Sequence, residues 1–253
     1  MPDNVSRTVF VLLHGGRHGG WCWQRVARRL RAAGHEVYTP TLTGLGERSH
    51  LNGPHIGLDT HIKDLVSVFE YEDVDDAVLV AHSYGGIVAT AAMEEIAERV
   101  RVMVYVDALM PRSGESLFSI IGPAAAQARI DRAQTDGEGW FIAPTDASYW
   151  GVADQDDIAW VNSKTTPQPI KTYRDAVASA DRAWEHPAMF IECRPSAMEP
   201  LTNPRERAKV DVDFHYHVLN AAHDVMITAP DELTELLLRA RGLVSTGQDS
   251  PRR

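Results

Sequence analysis

Cysteine is scarce: Cys22 and Cys193 are the only two in 253 residues. The N-terminus has neither a basic leader nor an apolar run of signal-peptide length, so both thiols are expected to stay reduced and buried in a cytoplasmic protein. Long hydrophobic runs are missing too. None approaches the roughly 20 apolar residues a membrane span needs, and no membrane association is expected. Positive charge is in deficit, with 25 Lys and Arg against 35 Asp and Glu and a formal net charge of −10. A surface this acidic repels phosphate backbones and anionic lipid, which excludes a general nucleic-acid role. Neither G-x-x-x-x-G-K-[ST] nor G-x-G-x-x-G occurs, so no nucleotide cofactor is expected. Histidine is plentiful, yet the pair His215 and His217 lacks a third ligand, and no metal is expected.

What is present alternates in a regular way. "TVFVLLHGG" is a β-branched apolar run stopped by glycines, a buried strand with its exit loop. "WCWQRVARRLRAAGH" has apolar residues at helical spacing and a glycine stop at Gly34. "EVYTPTLTG" reads as a second strand, and "LDTHIKDLVSVFEYED" as an amphipathic helix with Asp59 or Thr60 as its N-cap. "DAVLVAHSYGG" is a strand entering a tight turn, "IVATAAMEEIAERV" a helix, and "RVMVYVDA" another strand that ends on an acid, Asp107. Strands alternating with helices imply an α/β fold, with a mostly parallel sheet covered on both faces. After Pro111 the pattern breaks. Residues 112–187 are rich in Gly, Pro, Asp and aromatics, among them Trp140, Phe141, Tyr149, Trp150 and Trp160. This piece reads as a cap inserted over the carboxyl edge of the sheet, where open α/β sheets bind ligands. The core is therefore expected over 1–111 and 188–243, with "AMFIEC", "DFHYHVL" and the helix "DELTELLLRARGL", and with 244–253 as a disordered tail.

Chemistry is concentrated in a few residues. "VLVAHSYGG" sets Ser83 between a strand and a helix in the frame A-x-S-x-G-G. A nucleophile elbow requires this arrangement, because the sharp turn lifts the serine above the sheet and small neighbours let strand and helix approach. Ala81 stands where glycine is usual and keeps that tolerance. A serine needs a base, and His223 follows the last strand on the loop before the closing helix. His82, inside the elbow, is expected to pack beneath the turn. The oxyanion of a tetrahedral intermediate needs two amides: one from the loop "LLHGGRHGGW", assigned to Gly16, and one from Tyr84, the residue after the nucleophile.

Together "FVLLHGGRHGGWCW", "AAGHEVYTPTLTG", "VLVAHSYGG", "YVDALMP" and "AAHDVMITAPDEL" resemble the α/β-hydrolase superfamily. Within it they are similar to salicylate-binding methylesterases, hydroxynitrile lyases and bacterial EstC-like esterases. The resemblance covers residues 8–111 and 187–240 and is weak in the cap. It implies the α/β-hydrolase fold and triad chemistry on a small ester. Hydroxynitrile lyases carry a threonine at the position of Gly15 and a lysine at that of Asp224, so cyanohydrin cleavage is disfavoured. In the plant methylesterases the triad acid follows the next-to-last strand, a position that falls on Ser196 in "ECRPSAME". Glu192 and Glu199 are out of register there. Other α/β-hydrolases take the acid from the end of the strand after the nucleophile helix, which is Asp107. Burying that carboxylate unpaired costs several kcal/mol, so it is expected to pair with His223, with Glu199 as the alternative.

The expected protein is a serine hydrolase that cleaves a small carboxylic ester or related acyl bond with Ser83, His223 and Asp107. The aromatics of the cap suit an apolar or aromatic substrate, or serve only to glue the cap to the sheet. Cofactor-free oxygenation of a heteroaromatic ring, a hydroxynitrile lyase and a non-catalytic small-ligand receptor are the rivals. A homodimer is left open.

Overall fold

A computed structural model of the chain describes residues 7–195, 202–210 and 214–243, with the backbone alone described at 202–204, 210 and 214. Ser196, Glu199 and the tail at 244–253 lie outside the described residues. Six strands form one sheet: β1 (Val9–Leu13), β2 (Glu36–Tyr38), β3 (Ala77–His82), β4 (Val100–Val106), and beyond a long connection β7 (Ala188–Arg194) and β8 (Phe214–Asn220). Their order is β2-β1-β3-β4-β7-β8, and each neighbouring pair is parallel. The helices are α1 (Gln24–Ala32), α2 (Leu58–Tyr71), α3 (Gly85–Ile96), α9 (Thr202–Val210), α10 (Val225–Thr228) and α11 (Pro230–Ala240).

The central strands are buried on both faces, so side chains of opposite parity feed two separate cores. On β3, Leu79 and Ala81 face one core, which takes Leu65 and Phe69 of α2 and Ile87 and Met93 of α3. Val78 and Val80 face the other, with Val26 and Leu30 of α1 and Leu233 and Leu237 of α11. Both thiols are buried and free. Among the described residues, no helix is long and apolar enough to cross a membrane.

Two local expectations shift. The second strand is short, because "TPTLTG" leaves the sheet after Tyr38. Helix α2 begins at Leu58 with Gly57 as its N-cap, so Asp59 falls in the first turn instead of capping. The Leu58 amide donates to the Asp175 carboxylate at 3.0 Å, so a residue remote in sequence satisfies the helix end.

Between β4 and β7 the chain forms α4 (Leu117–Ile121), α5 (Pro123–Asp136), α6 (Gln155–Asn162), α7 (Lys171–Arg174) and α8 (Asp181–Trp184). An antiparallel ribbon of β5 (Phe141–Ile142) and β6 (Gln168–Pro169) also lies in this segment.

Candidate active site

The carboxyl ends of β1, β3, β4 and β8 deliver the chemistry-bearing residues to one edge of the sheet. Ser83 follows β3 directly with φ 52°, a left-handed conformation. For a residue with a Cβ this backbone costs about 1–3 kcal/mol, and its surroundings must hold it there. The Ser83 amide donates to Val106 O at 3.3 Å, and its carbonyl accepts from Gly86 N and Leu109 N at 3.1 and 3.0 Å. Glycine is required beside it. A Cβ on Gly85 would stand 2.6 Å from His14 O, and one on Gly86 would stand 2.2 Å from Leu109 O. This is the close strand–helix approach the motif demands.

Asp107 directly follows β4, also left-handed at φ 42° and fully buried. Its amide donates to Ile191 O at 2.8 Å, which fixes the residue to the neighbouring strand. Its carboxylate divides its work. Oδ2 lies 2.7 Å from His223 Nδ1, while Oδ1 accepts from Arg205 Nη2 at 2.7 Å. Burial pushes the Asp107 carboxyl up, but the His223 hydrogen bond and charge, with Arg205, outweigh it and hold it below the ordinary value. Glu192, the other acid near the expected register, is engaged by Arg194 at 2.9 Å and by the Tyr216 hydroxyl.

Ser83 and His223 line one cavity of about 50 Å³, together with Gly15, Gly16 and Tyr84. Among the described residues, the amides of Gly16 and Tyr84 donate to no protein acceptor. His82 packs beneath the turn: its Nε2 donates to the His223 carbonyl at 3.0 Å. Burial, aided by the charge of His223, lowers its pKa to about 3, so it stays neutral. Of the aromatics in the 112–187 segment, Trp150 and Tyr173 line the cavity. Trp160 packs instead on Trp21 and is a gluing residue. His215 and His217 lie on the edge strand β8, and no group of three or more His, Cys, Asp or Glu is placed to hold a metal among the described residues.

Three features were not anticipated from the sequence. Arg205 grips the acid from α9, and nothing in "TNPRERAKV" singles it out. Asp224 is fully buried beside His223, where the lyases keep a lysine, and His18 Nε2 meets its Oδ2 at 3.2 Å. Burial pushes the Asp224 carboxyl up, but the charge and hydrogen bond of His18 bring it below its ordinary value, so an anion stands at this position. Arg17 enters the same opening from the loop after β1. Its place between the glycine pairs of "HGGRHGG" was the only available signal.

The profile of the alpha/beta hydrolase family matches residues 10–236. The carbendazim hydrolyzing esterase of Nocardioides sp. (strain SG-4G) is 37% identical over 243 residues, covering 90% of this chain and 97% of that esterase. Methyl jasmonate esterase 1 of Vitis vinifera is 39% identical over 115 residues, which are 44% of this chain and 43% of that protein. An extracellular alpha/beta-hydrolase from a Paenibacillus species superposes with a TM-score of 0.81 at 21% identity, over 92% of this chain and 98% of that one, a likeness of fold.

Proposed function

Since the chain belongs to the alpha/beta hydrolase family, we propose that it is a serine esterase that cleaves a small carboxylic ester or related acyl bond through an acyl-enzyme. Ser83 Oγ attacks the carbonyl carbon while His223 Nε2 takes its proton. Asp107 holds the His223 tautomer through Nδ1 and stabilises the imidazolium that forms. The Gly16 and Tyr84 amides receive the oxyanion. His223 returns the proton to the leaving alcohol, and a water activated by the same imidazole releases the acid and restores Ser83. Residues 112–187 act as the cap that closes over this edge.

The observation that carries the reading is the 2.7 Å contact of Asp107 with His223 Nδ1, on a histidine that shares a cavity with a serine held at φ 52°. Similarity to the carbendazim hydrolyzing esterase over nearly the whole chain supports the same class of substrate. Turnover of p-nitrophenyl acetate and of a panel of short-chain and aromatic methyl esters tests it. Ser83→Ala is expected to lower kcat by about 10⁶. Equal rates in the two proteins, or no hydrolysis of any ester by the unaltered enzyme, would overturn it.

A further inference from the structure

Three arginines beside the catalytic groups take no part in acyl transfer as proposed. The cavity at Ser83, about 50 Å³, holds a few waters or the acyl head of a small ester. A second cavity of about 200 Å³ adjoins it, and Arg17, Arg129 and Tyr173 line both. Arg132, Thr145 and Tyr149 also line the second, and no Asp or Glu does. Whatever part of a substrate extends beyond the reacting carbonyl in this direction meets guanidinium groups.

These arginines differ from most others in the molecule. Arg25, Arg29, Arg101 and Arg207 each pair with a carboxylate. Among the described residues Arg17, Arg129 and Arg132 pair with none. Arg17 gives Nη1 to the Thr145 hydroxyl at 2.6 Å and lies 5.0 Å over the Trp150 ring, while its Nε is buried without a partner. Arg129 Nη1 reaches only Ala125 O, at 3.0 Å on its own helix. Burial, with the charges of Arg129 and Arg132 acting in the same sense, lowers the Arg17 pKa. Its backbone is pinned in a left-handed conformation, φ 65°, by Gln168 Oε1 on its amide at 2.9 Å and by Thr166 N on its carbonyl at 2.9 Å. Three cations crowded round one cavity without a counter-ion, in a protein of net charge −10, form a site prepared for an anion.

We propose that this second cavity receives a carboxylate borne by the ester itself, which makes the enzyme selective for hemiesters of dicarboxylic acids. The inference rests on the esterase reading and specifies its substrate. A carboxylate accepts two hydrogen bonds from a guanidinium fork. With the carboxylate anchored, the ester carbonyl at the other end of the acid lies over Ser83. Ser83 Oγ then adds to the acyl carbon, the alcohol leaves with the proton from His223, and water cleaves the acyl–Ser83 bond to release the dicarboxylate.

Monomethyl succinate, glutarate and adipate, each measured against its dimethyl ester in the same preparation, test the proposal. For at least one chain length kcat/KM is expected to favour the monomethyl ester by about tenfold or more, expressed in KM, the size of one charge-assisted hydrogen bond. Arg129→Gln combined with Arg132→Gln should bring that ratio towards one, as should rising salt. The ratio is independent of how much of either protein is folded. A ratio of one or less at all three lengths overturns the proposal, as does a ratio the double substitution leaves unmoved, and in both cases hydrolysis of the dimethyl esters leaves the esterase reading intact. Failure to turn over p-nitrophenyl acetate or any of the six esters removes that reading and the subsite with it.

Discussion

Asp107 is a buried carboxylate shared between Arg205 and His223. Arg205 occupies one oxygen at 2.7 Å and leaves the other to His223, so the acid cannot rotate away from the imidazole. Amidation should cost kcat about 10⁴ in Asp107→Asn by stabilising the wrong tautomer, whereas Glu199→Gln should retain activity. Steady-state kinetics on one ester decides between them, and near-normal turnover in Asp107→Asn would remove that residue from the proposed triad. Arg205→Met leaves a buried carboxylate without its guanidinium partner. It should lower the free energy of unfolding by about 3–5 kcal/mol, measurable by chemical denaturation; an unchanged midpoint would contradict the role given to the pair. Ser83 and His223 were legible because each sits at a fixed place relative to a strand. Arg205 was not, since it reaches Asp107 across 98 positions of sequence.

At the scale of elements, the turn from β3 into α3 concentrates the geometric demand. The added methyl group in Gly86→Ala would stand 2.2 Å from Leu109 O, a backbone atom that cannot step aside without moving the loop after Asp107. The variant should lose about 1–3 kcal/mol of stability and fall in Tm. A Tm equal to that of the parent would show the turn to be looser than described. The strand–helix alternation was readable because period and length distinguish buried strands from amphipathic helices over contiguous residues. The start of α2 was not, because Asp175 supplies the partner for its first amide from 117 positions away.

For the molecule as a whole, three buried neutral histidines make stability depend on pH. Burial lowers the pKa of His14 and His82 from 6.5 to about 3 and that of His61 to about 4. Burial keeps each neutral, and the neutral rings of His14 and His61 find partners of both kinds. Leu42 N donates to His14 Nε2, while His61 donates to Thr43 O and accepts from the Tyr84 hydroxyl. In the unfolded chain these rings bind protons as the pH falls below 6.5, whereas in the fold they do so only near 3–4. The unfolded state thus binds more protons in that window. Their stabilising contribution is full above pH 6.5 and is lost as the pH falls towards the folded values, at up to about 1.4 kcal/mol per pH unit for each. Urea denaturation between pH 7 and 4.5 should show steadily falling stability, and a flat profile between pH 6 and 4.5 would refute it.

Contiguous residues determined the alternating α/β scaffold, the position of Ser83 at a strand-to-helix turn and that of His223 after the last strand, because spacing along one segment sets periodicity and turn chemistry. Tertiary structure decided which acid meets that histidine, what holds the acid, and that Arg17 gathers with Arg129 and Arg132 around one cavity. Those contacts join residues separated by long stretches of chain. At Asp107 the partners come from α9 and from the loop after β8, while at Arg17 they come from the segment between β4 and β7.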